Sequence, residues 1–384
     1  MTGIDIDKIL ALAPSPAYVV DLGRLRANLA ILDEVQRRSG AKILMALKAF
    51  AMWSVFPVIR ETLHGVCASS PWEARLGREE FGREVHSFAA AFKEEDVKEL
   101  LATSNHLVFN SFNQLERFRP LWEKCRGRVS VGLRVNPEHT EGHTAIYDPC
   151  APKSRLGIPR REFDGKSLAG VEGLHFHTLC EQLFEPLERT AHVFEEKFGE
   201  FLPGMRWLNL GGGHHITREG YDIDSLVGLI KHFQEKYGLE VYLEPGEAIA
   251  IGTGILVGEV LDVVRNEMDI AILDVSATCH MPDVLEMPYR PEIQGGFNAG
   301  DKAHTYRLGG PSCLAGDVIG DWSFDEPLVP GRRLAFLDMA HYTMVKTTTF
   351  NGIQLPHICT YEPETGELKV VRRFTYEDFK NKLS

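Results

Sequence analysis

Lys48 ends the apolar run "KILMALK" (42–48) and is followed by "AFAM", so its ammonium is placed in apolar surroundings. A lysine there either snorkels to water or, kept dry, has a lowered pKa suited to forming a Schiff base with a carbonyl. In "LNLGGGHHIT" (208–217), Gly211, Gly212 and Gly213 come directly after another apolar run. Bare glycine backbone lets several N–H groups approach one anion, which suits a phosphate, although a tight strand-to-loop turn uses the same residues. The spacing is neither GxGxxG nor a Walker motif, so neither a dinucleotide site nor a P-loop is supported. Glu244, in "YLEPGE" (242–247), ends a further run. It is either an ion-paired rim residue or a carboxylate that keeps a heteroaromatic nitrogen protonated. His177, in "GLHFH" (173–177), is either a satisfied core histidine or a ring lying flat against another planar ring.

These residues weigh more together than apart. A Schiff-base lysine, a glycine loop for phosphate, a flat partner for a ring and a carboxylate for its nitrogen are the parts that hold pyridoxal 5'-phosphate.

The elements that must position them follow from periodicity. Eight apolar runs recur at 42–48, 65–68, 85–90, 106–109, 129–135, 170–177, 207–210 and 240–244. Between them, 21–38, 70–81, 93–102, 111–124, 187–198 and 222–237 carry apolar residues at three- and four-residue steps, as helices do. Alternating strand and helix implies a parallel sheet, and eight units suit a closed (β/α)8 barrel, with an open doubly wound sheet as the alternative. In a barrel the C-terminal strand ends form the active face. Lys48, Asn110, Asn136, His177, Gly211 and Glu244 all stand there. After Gly246 the chain becomes rich in branched residues without a helical stripe. The expected organisation is an α/β chain with a barrel over 20–248 and a mainly β domain over 249–384, joined by the N-terminal segment 1–19. The helical pattern is poor over 137–165, which predicts a loop over the site.

The formal charge of −12 argues against nucleic acid as a partner and is compatible with a cationic small substrate. Seven scattered cysteines without a CxxC pair predict free thiols and no metal centre. No apolar run is long enough for a membrane span, and "MTGIDIDKIL" lacks the pattern of a signal peptide, so the expected compartment is the cytoplasm.

From "PAYVVDLGRLRANL" to "TTTFNG" the chain resembles the pyridoxal-phosphate decarboxylases of the alanine-racemase-like fold (fold type III), which include ornithine and diaminopimelate decarboxylases. The resemblance implies that Lys48 in "ALKAF" carries the cofactor, with His177 stacked on its ring. It further implies that Gly211, Gly212 and Gly213 hold the phosphate and that Glu244 in "EPG" meets the ring nitrogen. Tyr342 in "DMAHYTMVKTTTFNG" resembles a tyrosine that reaches the phosphate from the β domain. Cys313 in "GPSC" matches a cysteine that the partner subunit inserts into the site, which implies a homodimer with shared active sites. A thiol with pKa near ~8.5 suits proton delivery to a carbanion-like carbon.

Two departures from the diaminopimelate pattern bear on substrate. Glu247 follows "EPG" where that enzyme has an arginine, and "MPDVLEMPYRP" puts Glu286 at the place of a second arginine while retaining Asp283. Carboxylates at Glu247, Asp283 and Glu286 suit the ammonium groups of a polyamine; each is alternatively a solvated loop residue. Asp317 is a further candidate for orienting substrate from the Cys313 loop. The expected reaction is decarboxylation of carboxynorspermidine to norspermidine, or of carboxyspermidine to spermidine. A diaminopimelate or ornithine-type decarboxylase is the enzymatic alternative, and a catalytically silent protein-binding relative the non-enzymatic one. The sequence assigns no role to Cys180 in "HTLCEQ" or to Arg155 in "PKSRLGI".

Overall fold

The structure, a computed structural model, describes residues 4–142 and 144–384. The chain divides into two compact units, Asn28–Ile249 and Met1–Ala27 with Ala250–Ser384.

The Asn28–Ile249 unit is a closed parallel barrel of eight strands: β2 (Lys42–Ala46), β3 (Gly65–Ala68), β4 (Glu84–Phe88), β5 (His106–Phe109), β6 (Ser130–Asn136), β8 (Gly173–His175), β9 (Trp207–Asn209) and β10 (Glu240–Leu243). Pairing of Tyr242 with Lys42 closes the ring between β10 and β2. A two-residue strand, β7 (Ile158–Pro159), hangs on the end of β6. Helices fill the connections where an apolar stripe exists. Phe184–Phe198 buries Leu187, Ala191, Phe194 and Phe198 at three- and four-residue steps, and Ile223–Tyr237 starts on an Asp222 cap and stops at left-handed Gly238. Register sets the interior in rows. Gly132, Gly173 and Trp207 lie side by side, and a Cβ on Gly173 would come within 2.0 Å of the indole. Two glycines thus make room for one large ring. One step up, Arg134, His175 and Asn209 form the next row.

Among the described residues of 137–165 there is little regular structure: one turn at Ala145–Tyr147, β7, and another turn at Arg160–Phe163. The segment is tied down from strand ends. Asn110 donates to the Arg155 carbonyl at 2.7 Å and accepts from the Gly157 N–H at 2.7 Å, and Asn136 donates to the Pro149 and Leu156 carbonyls.

The second unit is built on a nine-stranded mixed sheet: β1 (Ala17–Asp21), β11 (Gly254–Asn266), β12 (Met268–Leu273), β13 (Phe297–Asn298), β14 (His304–Gly309), β15 (Val318–Phe324), β16 (Arg333–Leu337), β17 (His357–Glu362) and β18 (Glu367–Arg372). β1 is sandwiched between β11, antiparallel, and β17, parallel. Ile6, Ile9, Ala17 and Val19 pack there with Ile255, Val257, Ala335 and Cys359. Burial of these apolar groups joins the N-terminal segment to the sheet.

Candidate active site

At the C-terminal end of the barrel, Lys48 Nζ lies 3.4 Å from His177 Nε2. The Gly212 N–H donates to His177 Nδ1 at 2.9 Å, so Nδ1 is an acceptor and the ring proton sits on Nε2, facing the amine. Burial lowers the pKa of Lys48, and burial followed by repulsion from Lys48 and Arg134 drives His177 well below the usual imidazole range. A neutral imidazole N–H pointing at an amine of reduced basicity is an arrangement that favours a nucleophilic lysine.

The three glycines after β9 are required by space. A Cβ would lie 2.3 Å from the Phe176 carbonyl oxygen at Gly211, 2.1 Å from that of Glu244 at Gly212, and 1.9 Å from that of Leu179 at Gly213. Gly211 and Gly213 also have φ of +71° and +86°. Two of their three N–H groups are engaged within the protein: Gly211 donates to Asn209 Oδ1 at 2.8 Å and Gly212 to His177. The Gly213 N–H has no acceptor among the described residues.

Glu244 follows β10 and turns inward. Its Oε1 accepts from Asn209 Nδ2 at 2.7 Å, and its Oε2 lies 3.3 Å from His175 Nε2. Burial opposes ionisation, but the polar contacts from His175 and Asn209 outweigh it and hold this carboxyl below the usual range, at about 2. Arg134 is buried, donates to the His177 carbonyl at 2.7 Å and lies 4.5 Å over the Phe88 ring. Burial pulls its pKa down to about 10, which leaves it a cation. Lys48, Arg134, His175, His177, Glu244 and Cys67 line one cavity.

Glu247 is mostly buried, with its Oε2 3.2 Å from Nε2 of buried His215. Burial raises the Cys180 thiol to about 11, so it stays protonated. Arg155 serves through its backbone carbonyl on Asn110.

In the other unit, Tyr342 adopts φ of +47°, a strained conformation for a residue with a Cβ. Cys313 is exposed, and its N–H donates to Asn351 Oδ1 at 2.8 Å. Asp317 is buried and committed to its own loop. Its oxygens accept from Ser276 Oγ at 3.0 and 2.8 Å, and from the Thr278 and Ser312 N–H groups at 3.2 Å each. A substrate contact was expected of it; the geometry makes it the residue that shapes the Cys313 loop. Asp283 and Glu286 both grip the Lys346 ammonium. The trio keeps one net negative charge.

Sequence reading missed Arg134, His175, Asn209, Asn351 and Lys346. The first three were within reach: each lies two residues before a strand-end residue already singled out, and alternate residues of a strand share a face.

A family model for the sheet domain of pyridoxal-dependent decarboxylases matches residues 17–340. The chain is 43% identical over 376 residues to a carboxynorspermidine/carboxyspermidine decarboxylase of Campylobacter jejuni, across 95% of this chain and 97% of the relative. It is 45% identical over 376 residues to a carboxyaminopropylagmatine decarboxylase of Synechocystis, across 97% and 96%. The crystal structure of carboxynorspermidine decarboxylase from Campylobacter jejuni, complexed with norspermidine, superposes with a TM-score of 0.88 at 42% identity, covering 96% of this chain and 99% of that one. Diaminopimelate decarboxylase of Helicobacter pylori, 17% identical with a TM-score of 0.83, shares the fold. With the family match spanning most of its length and these relatives alike from end to end, the chain belongs to the pyridoxal-dependent decarboxylases.

Proposed function

We propose that this pyridoxal-phosphate enzyme decarboxylates a carboxylated triamine, carboxynorspermidine or carboxyspermidine, to norspermidine or spermidine. The observation that carries the substrate class is the acid pair Asp283 and Glu286. It already holds one primary alkyl ammonium, that of Lys346, and keeps a net negative charge for another. Glu247 adds a carboxylate where the diaminopimelate pattern has a guanidinium. The names of the two relatives above 40% identity, both decarboxylases of long cationic amines, support the same class.

The residues fit the cofactor. The glycine turn admits no side chain, and the Lys48 amine shares one cavity with an ionised carboxylate. When bound, the cofactor supplies the electron sink for the pair left as CO2 departs. Lys48 would be the residue that attaches it, with its amine lowered in basicity and faced by the His177 N–H. His177 would lie against the ring, Glu244 would hold a proton at the ring nitrogen, and the Gly213 N–H and Tyr342 would take the phosphate, with Gly211 and Gly212 shaping the turn. Cys313 of the partner subunit would deliver the proton to the reacting carbon. Asn351 and Asp317 hold its loop in place. On this reading the enzyme is a cytoplasmic homodimer with shared sites.

A competitive panel read by CO2 release tests the substrate. Carboxynorspermidine or carboxyspermidine is expected to be turned over in preference to diaminopimelate and ornithine. Preference for diaminopimelate would overturn the polyamine class. Preference for carboxyaminopropylagmatine, the reading favoured by the 45% identical relative, would keep the cationic class and replace the triamine with a guanidino tail.

A further inference from the structure

Beneath Glu244 lies a histidine with no assigned task. His175 is only 2% exposed, and neither ring nitrogen has an in-line hydrogen-bond partner. A buried imidazole in that condition is costly, and each such group calls for an explanation. Its nearest polar neighbour is the site's carboxylate: His175 Nε2 stands 3.3 Å from Glu244 Oε2, while Asn209 takes Oε1. The ring is held on its other sides. Phe88 meets it edge-on at 5.7 Å between centroids, and the strand register places Arg134 and Asn209 beside it.

Arg134, the nearby cation, is spent on the His177 carbonyl and the Phe88 face, so it does not cap Glu244. That division matters chemically. A guanidinium on Glu244 would cancel the charge that attracts a protonated ring nitrogen, whereas a neutral imidazole edge 3.3 Å from a carboxylate oxygen limits its direction and leaves its charge in place. Burial keeps His175 in the neutral form.

We propose that His175 is a positioning residue that fixes the direction of Glu244 Oε2 toward the cofactor's ring nitrogen. The proposal rests on the reading of Glu244 as the ring-nitrogen partner, and the test separates the two.

The experiment compares affinity for pyridoxal phosphate with that for its deaza analogue, in which a carbon replaces the ring nitrogen. Both are titrated into the full-length chain after removal of bound cofactor. The wild-type chain is expected to prefer the natural cofactor by roughly 10- to 100-fold, the worth of one hydrogen bond to a charged group. His175→Leu and His175→Ala, two non-donors of different size, are expected to bring the ratio near unity. His175→Asn, which keeps a donor, is expected to retain most of it. A general packing defect would weaken both ligands alike and leave the ratio unmoved. If Glu244→Gln abolishes the preference while both non-donor variants keep the wild-type ratio, the role of His175 is refuted and that of Glu244 stands. If Glu244→Gln leaves the ratio unchanged, the reading of Glu244 falls first.

Discussion

At the scale of single residues, the site is governed by which groups carry charge. Lys48 loses basicity through desolvation, His177 is neutral with its proton fixed on Nε2, and Glu244 stays ionised. The acid pair of the other unit behaves differently, because Asp283 is partly buried, Glu286 is exposed, and the two share Lys346. Removing one carboxylate leaves the trio neutral. Asp283→Asn is therefore expected to raise KM for the triamine roughly tenfold, the loss of about 1.4 kcal/mol of charge-assisted bonding, with kcat and the cofactor's visible absorbance retained. Steady-state kinetics on carboxynorspermidine checks this, and an unchanged KM would remove Asp283 from the substrate site.

At the scale of elements, the turn after β9 shows why glycine stands there. Gly204, at φ of +89°, has open space around its missing Cβ, whereas at Gly213 a Cβ would sit 1.9 Å from a backbone carbonyl. Gly204→Ala is expected to cost only the left-handed backbone penalty, about 1–2 kcal/mol. Gly213→Ala is expected to cost more in denaturant unfolding and also to weaken pyridoxal phosphate, because the turn that offers its N–H must move. Equal unfolding costs for the two variants would show that the turn yields easily. The helices have a humbler part: their apolar stripes wrap the barrel, and no site residue discussed above lies inside one longer than four residues.

At the scale of the whole molecule, two predictions concern the proposed sharing of sites and the buried histidines. If Cys313 serves the partner's Lys48, mixing inactive Lys48→Ala and Cys313→Ala chains should restore activity. Random pairing makes half the dimers mixed, each with one intact site, so about a quarter of all sites recover. No recovery on mixing, despite subunit exchange, would place both residues in one subunit's site. The second prediction concerns acid. Burial holds His214 at about 3 and His280 at about 4, below the unfolded value near 6.5. Below pH 6.5 the unfolded chain binds protons that the folded chain refuses, so stability is complete above that pH and falls steadily as pH drops toward 4. The urea midpoint at pH 5 should lie below that at pH 7; an equal or higher midpoint would contradict the burial of these imidazoles.

The sequence by itself determined the alternation of strands and helices, and it marked Lys48, His177, Glu244 and the glycine turn. Those signals are local: an apolar run, its polar end and a glycine triplet lie within a few residues of one another. It did not reveal that Asn209 and His177 take up two of the three glycine N–H groups, that Asp317 is spent on its own loop, or that Lys346 bridges Asp283 and Glu286. Nor did it show His175 under Glu244, or β1 between two strands that lie more than 200 residues further along the chain. Those pairings depend on barrel register and sheet order. Register is fixed by how side chains fill an enclosed space, as Trp207 fills the gap left by Gly132 and Gly173, and that is a property of the folded whole.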